Sequence, residues 1–286
     1  FRDLIDKKVD YIFLPHILEV FNGTDNFYDR TCVLMQAEVY YLKTAFKEEL
    51  KGIEILAPVL NFAEGFEQTR NSFVDIATGL GKDKIEANAS FDFAVNELTD
   101  MFSEFKAIGR AAIEELEKTP EQFAVVLFGR AYSAFAKEAN LAIPQKFTTR
   151  NLLIIPHDFL SSEMYESFTH MYWGMGKQIL RNARFVKEHP QLFGVYITNF
   201  SCGPDSILLG YFRDIMGSKP SLTLELDSHS ADAGINTRIE AAIDIIKSYL
   251  TLQNNGSIIE KKSGFRSLKV KDSHTLIDSE GNEVSI

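Results

Sequence analysis

The run Leu192-Phe193-Gly194-Val195-Tyr196-Ile197-Thr198 stops at Asn199-Phe200-Ser201-Cys202-Gly203-Pro204-Asp205-Ser206, and a helical pattern from Ser206 to Met216 follows. A short, nearly unbroken apolar run bounded by turn residues predicts a buried strand. Pro204 suits the first turn of a helix, where its missing N–H leaves no donor unmade. Gly203 permits a sharp turn or a close approach to a ligand. Cys202 is therefore expected at the carboxyl end of a buried strand, beside a helix N-terminus. The free N–H groups and dipole there favour a thiolate, the form that binds metal or attacks carbon. A small buried cysteine in a tight turn is the plain structural alternative.

Working outward, the same alternation repeats. Phe123 to Phe128 reads as a buried strand ending at Gly129-Arg130, and Ala131 to Asn140 and the segment after Pro144 read as helical. Leu152 to Ile155 is a strand ended by Pro156, and Ser161 to Lys187 a long helical region broken near Gly174 and Gly176. Beyond the Cys202 turn, Leu222 to Leu226 is a fourth strand and Ile235 to Leu250 a closing helix. Strands alternating with helices predict a parallel sheet with right-handed crossovers.

Upstream, Val9 to Leu14 is a strand stopped by Pro15, and a polar stretch runs from Asn22 to Arg30. Thr31 is the expected N-cap of a helix from Val33 to Leu50, which sets Cys32 at a helix start, as Cys202 is. Ile53 to Ala57 is a strand stopped by Pro58. From Asn61 to Lys118, Phe62, Phe66, Phe73, Phe91, Phe102 and Phe105 recur at roughly helical intervals. Gly79-Leu80-Gly81 breaks that region, which reads as packed helices without a catalytic signal. Asn254-Asn255-Gly256 and Glu280-Gly281-Asn282 mark turns between short alternating runs. The expected fold class is α/β: two doubly wound, Rossmann- or flavodoxin-like parallel-sheet lobes with a helical insertion and a small C-terminal β appendage. The expected divisions are part of a first lobe at 1–60, the insertion at 61–119, a second lobe at 120–250 and a β arm at 251–286. The chain opens in mid-helix without an initiator Met, so we read it as a segment of something longer.

Composition bounds the function. Apolar residues make up 45% of the 286, ordinary for a chain with a real core. The net charge of −10 argues against nucleic acid, since phosphate binding favours a basic face. No apolar run approaches the roughly 20 residues that span a bilayer, so no membrane partner is expected. Two cysteines are no disulfide framework, and a cytoplasmic location is the default expectation.

If the four strands of the second lobe take the order 2-1-3-4, direction reverses beside the first strand. Ligands in such sheets bind at the carboxyl ends flanking that reversal. This one rule brings Arg130 and Cys202 to a single crevice, with the loop Asp227 to Gly234 beside it. Arg130 suits an anion or carboxylate. His229 and Asp232 are further candidates. Helix capping by Asp232 or Asn236, a hydrogen-bonded structural His229, and solvated Arg238 and Glu240 are the plain alternatives. No phosphate loop, dinucleotide fingerprint or Ser-His-Asp elbow occurs.

The residues carry a family resemblance. Val9 to Pro15, Gly129-Arg130-Ala131-Tyr132 with Asn140 and Ile143-Pro144, Tyr172-Trp173 with Gly176, Asn199 to Ser206 and Glu225 to Glu240 are its landmarks. Together they resemble the long bacterial CoA-substrate-specific enzyme activases, in the region related to 2-hydroxyacyl-CoA dehydratase subunits such as the 2-hydroxyglutaryl-CoA dehydratase component. The resemblance spans roughly residues 1–250. It implies a [4Fe-4S] cluster between α/β lobes, with Cys202 and Cys32 as metal ligands and Gly203 and Asn199 in the cofactor-binding turn. A third cysteine ligand is expected upstream of Phe1. Val33 departs from the family, which carries Pro after the cysteine at position 32. Two ligands alone hold a cluster poorly.

The resemblance implies an electron-transfer or reductase module. An ATP-binding activase domain, of the same protein or a partner, would pass an electron to the cluster, and Arg130, His229 and Asp232 would orient substrate or tune the metal. The substrate, CoA thioester or other, is not specified by any visible signature. A non-catalytic scaffold is the alternative. A thiol enzyme using Cys202 as nucleophile and His229 as base is a weaker one.

Overall fold

The computed structural model describes residues 1–20, 29–168, 170–199, 202–227, 229–254, 269–272, 275–277 and 283–285. Most of the polar stretch after Asn22, together with Phe200, Ser201, Ser228 and the turn signals at 255–256 and 280–282, lies outside the described residues. The chain opens with α1 (Arg2–Asp6), β1 (Tyr11–Phe13), β2 (His16–Glu19), α2 (Val33–Ala45), β3 (Glu54–Leu56) and β4 (Val59–Asn61). Then come α3 (Arg70–Gly79), α4 (Lys84–Glu117), β5 (Ala124–Phe128), α5 (Ile143–Thr148), β6 (Leu153–Pro156) and α6 (Gly174–Glu188). The remainder is β7 (Leu192–Asn199), α7 (Gly203–Met216), β8 (Ser221–Leu226), α8 (Asp232–Asn254), β9 (Lys269–Asp272), β10 (Thr275–Ile277) and β11 (Glu283–Ser285). Two units form: Phe1–Ile113 with Asp158–Arg181, and Glu114–His157 with Asn182–Ile286. Among the described residues no helix is long and apolar enough to cross a membrane.

In the first unit β1 pairs with β3 and β2 with β4, both in parallel. β1 and β3 end before Pro15 and Pro58, as the sequence suggests, since a proline has no N–H for the ladder. Leu14 N–H donates to Leu56 O and His16 N–H to Pro58 O, so pairing resumes just beyond each proline. Helix α2 starts at Val33, but its N-cap is Cys32 rather than Thr31. The Thr31 hydroxyl instead donates to Ile17 O at 2.6 Å, tying the helix start to β2. Helices α3 and α4 flank the Gly79-Leu80-Gly81 break, and Phe73 and Phe91 meet across them at 5.8 Å.

The second unit holds a four-stranded, wholly parallel sheet in the order β6-β5-β7-β8. Every residue of β5 is buried, as strands covered on both faces require. Val125, Leu127, Val195, Ile197 and Leu224 face Phe147 of α5 and a stripe on α8, Ile235, Ile239, Ile243 and Ile246, at helical spacing. On the other face Phe128 and Tyr196 meet Phe212 of α7 at 5.1 and 5.2 Å. Helices on both faces make this a doubly wound α/β unit. The tail strands β9, β10 and β11 form a separate antiparallel sheet.

Two helical expectations are corrected. After Arg130 the chain makes one π-helical turn, Ala131–Phe135, not a helix to Asn140. Buried Asn140 closes the loop instead, donating to Ala134 O at 3.1 Å and accepting from Ala142 N–H at 3.0 Å. Among the described residues between Ser161 and Trp173 there is no helix, and α6 begins only at Gly174. Gly174 N–H is held by Arg30 O at 3.2 Å, and a Cβ there would sit 2.6 Å from Val20 Cγ2. Close packing against a partner distant in sequence fixes that start, and no local spacing reveals it.

Lys219 shows how the amino-terminal edge of this sheet is closed. Its buried ammonium donates to Val186 O at 2.7 Å, to Lys187 O at 3.4 Å and to His189 O. These are carbonyls at the end of α6, which want a cation or a donor. Burial, with Lys187 nearby, pulls the amine down to about 7, while the carbonyls favour its charged form. Lys219→Met is expected to cost about 1–3 kcal/mol by orphaning those carbonyls. A guanidinium unfolding curve measures it, and an unshifted midpoint would show that the cap is dispensable.

Candidate functional site

The observed strand order is the 2-1-3-4 order on which the crevice depends, with β5 as its first strand. The reversal falls beside β5, so the carboxyl ends of β5 and β7 frame the site. Gly129 ends β5 with φ 142°, and a Cβ there would lie 2.4 Å from Ile197 O of β7. The strand ends are thus pressed together. Arg130 follows directly and is turned inward.

Arg130 does not wait for an external anion, as its position suggests. Its Nε donates to Asp205 Oδ1 at 3.0 Å, and both side chains are buried. Asp205 lies in the first turn of α7, where a carboxylate favours the helix dipole. Its Oδ1 also accepts from Tyr196 Oη at 3.3 Å and its Oδ2 from Thr198 Oγ1 at 2.7 Å. One carboxylate therefore pins β5, β7 and the start of α7. Burial pulls the guanidinium's pKa down, but Asp205 outweighs it and the net direction is upward. Arg130 Nη2 is buried and has no hydrogen-bond partner among the described residues.

Cys202 is the N-cap of α7 and half-buried. Its N–H donates to Asn199 O at 3.1 Å, and its carbonyl accepts from the Ser206 hydroxyl at 2.8 Å. The sulfur lies 4.0 Å from Tyr132 Oη, on the π-helical turn after Arg130. The thiol is pushed up rather than down. Burial dominates and the Asp205 charge adds to it, against the pull of the Asp205 amide, Arg130 and Tyr132. The helix start alone thus misjudges this cysteine, because its desolvation is a tertiary effect that outweighs it. The Tyr132 phenol, raised to about 12 chiefly by burial, stays protonated and can donate to sulfur. Gly203 has open space where a Cβ would stand and no positive φ, so the turn itself does not require glycine.

The loop after β8 is organised by Asp227, which accepts from His229 N–H at 2.9 Å and from the Ser230 hydroxyl at 3.1 Å. The His229 amide and then Ser230 hold the Asp227 carboxyl below its usual range. His229 is exposed on this loop. Asp232 opens α8 and is engaged by Lys146 and, at 3.0 Å, by Asn236 Nδ2. Glu240 pairs with Arg150 at 2.6 Å, and Arg238 donates to Thr223 O. Cys32 lies in the first unit at the start of α2, half-buried, and its carbonyl accepts from Gln36 N–H at 3.0 Å.

The structure therefore brings Arg130 and Cys202 to one helix start through Asp205, with Asn199 and Gly203 in the same turn. It ties Asp232 to Lys146 and His229 to the Asp227 turn. The reading of the sequence missed Asp205, Tyr132, Tyr196 and Thr198. A signal existed: Thr198 and Tyr196 are two polar-tipped residues at a period of two in an otherwise apolar strand.

A cluster would need soft donors. Both free cysteines are at helix starts and partly exposed, so the donor chemistry fits iron and sulfide. Among the described residues no three His, Cys, Asp or Glu side chains group as a metal site. No curated protein and no solved structure matches the chain. A family match covers the first unit's larger segment, β5 and β6, and stops short of the Cys202 turn. It spans residues 1–160, more than half of the 286, and is described as the CoA enzyme activase uncharacterised domain; the chain belongs to that family.

Proposed function

We propose that the chain is the iron–sulfur-bearing, electron-accepting module of a CoA enzyme activase-type protein, related to the 2-hydroxyacyl-CoA dehydratase subunits. The observation that carries it is Cys202, a free, half-buried thiol at the carboxyl end of β7 beside the topological reversal. Cys202 and Cys32 would serve as thiolate ligands, completed by thiolates from outside these 286 residues. A bound [4Fe-4S] cluster supplies one-electron chemistry whose potential follows burial and hydrogen bonds to sulfur. An ATP-binding activase domain, in the same protein or a cytoplasmic partner, would be the electron source.

The chain's own residues have defined tasks in this reading. Asp205, neutralised by Arg130, fixes the turn that presents Cys202. Tyr132 offers its O–H toward the sulfur, the kind of hydrogen bond that tunes a thiolate ligand. Asn199 and Gly203 would belong to the cofactor-binding turn, with open space where a Cβ would stand at Gly203, and His229 and Asp232 would contact substrate from the β8 loop.

Iron and acid-labile sulfide, measured after anaerobic purification alongside the visible spectrum, test the proposal. Bound iron and sulfide should fall together in Cys202→Ala and in Cys32→Ala. A colourless protein that takes up neither on reconstitution would overturn it and leave a scaffold role.

A further inference from the structure

The first unit carries a cleft of about 430 Å³, lined by Phe62, Phe66, Phe73, Phe91 and Leu98. Its size falls within the range of roughly 300–1,000 Å³ found for ligand pockets. The space exists because facing positions are small: Ala77 on α3, and Ala87, Ser90 and Ala94 on α4. Side chains of ordinary size there would close the gap between the helices.

One rim of this cleft is strongly acidic. Between Lys84 and Lys106 the chain has Glu86, Asp92, Glu97, Asp100 and Glu104 and no basic residue, and Glu86 pairs at 3.6 Å with Lys82, which also lines the cleft. At 3.6 residues per turn, Glu86, Phe93, Glu97, Asp100 and Glu104 fall in one strip of α4, next to the strip that lines the cleft. Asp92 faces away from that strip and is held by Arg70. Glu97, Asp100 and Glu104 are exposed. Phe93, at 66% exposure, stands among them. Apolar anchoring space flanked by a row of carboxylates is complementary to one kind of partner.

We propose that this face receives an amphipathic helix of a partner protein, its bulky apolar side chains in the cleft and its flanking Lys or Arg residues on the Glu97, Asp100 and Glu104 row. The Glu97, Asp100 and Glu104 row favours a basic helix over an acidic one. The inference does not depend on the cysteines or on metal.

The probe is a synthetic helical peptide with Leu and Phe at i, i+3, i+4 and i+7 and lysines along one flank, read by fluorescence anisotropy. A second peptide carries glutamates in place of the lysines. The lysine peptide should bind saturably, at least about tenfold tighter than the glutamate peptide, and more weakly as salt rises. Ala94→Trp, which fills the cleft from an exposed helix position, should weaken binding about tenfold. The triple change Glu97→Lys, Asp100→Lys, Glu104→Lys should do the same while circular dichroism stays native. Equal binding to Ala94→Trp would reduce the effect to diffuse charge attraction and overturn the proposal. Sedimentation showing a dimer that Ala94→Trp dissolves would make a second copy of this chain the occupant, and would overturn it as well.

Discussion

Arg130→Met is expected to destabilise the protein by about 3–5 kcal/mol, because it strands the Asp205 carboxylate in the interior without its cation. The Arg130 and Asp205 side chains are 3% and 2% exposed, so water cannot take the guanidinium's place. Asp205→Leu should cost a similar amount for the reciprocal reason, and it also orphans the Tyr196 and Thr198 hydroxyls. The double variant removes both charges. Its remaining cost is that of two buried hydroxyls without an acceptor, about 1–3 kcal/mol each. The double variant should therefore be clearly less damaging than the sum of the singles, with a coupling of about 2 kcal/mol or more. Guanidinium unfolding of the four proteins measures it. Additive losses would show that Arg130 and Asp205 act separately and that the carboxylate does not organise the Cys202 turn. The same series reports on function, since an α7 start released from β5 and β7 should leave Cys202 open to alkylation at a higher rate.

That pair also marks where the sequence stops being legible. The four strands of the second unit and the position of Cys202 at a helix start follow from apolar runs, Pro204 and the alternation of strands with helices, whereas the order 2-1-3-4 is a supposition that the sheet matches. The order brings the ends of β5 and β7 together, and Arg130 and Cys202 do converge there. Arg130 was nonetheless readable only as a cation near a crevice. Its partner is 75 positions away, and burial decides that the pair is internal rather than a receptor for substrate. The same holds for the Cys202 thiol, whose local setting predicts one direction of shift and whose desolvation imposes the other. Ser161 to Trp173 offers helical spacing without helix among its described residues, and the start of α6 is fixed by close contacts of Gly174 with Val20 and Asp29. In the first unit Pro15 and Pro58 mark strand ends, and only the pairing of β2 with β4 reveals that a second pair of strands begins just beyond them.

Gly129 and Gly203 look alike in sequence, each a glycine where a strand meets a helical turn, yet their substitution should have opposite outcomes. Gly129→Ala is expected to cost roughly 3–5 kcal/mol. Its φ of 142° is one that a side-chain-bearing residue rarely adopts, and its Cβ would meet Ile197 O at 2.4 Å and Ala134 Cβ at 2.9 Å. Ile197 belongs to β7 in the middle of the sheet, so its carbonyl cannot withdraw without breaking the ladder to β5 or β8. Gly203→Ala meets nothing within 4 Å and has no positive φ. It adds a better helix former at the start of α7 and should change stability by no more than about 0.5 kcal/mol. Thermal unfolding of the two variants separates them. If Gly129→Ala melted with the parent, the end of β5 would not be pressed against β7, and the route by which Arg130 reaches Asp205 would have to differ. If Gly203→Ala were stable but lost bound iron, the open side of that turn would be reserved for a ligand rather than for the fold.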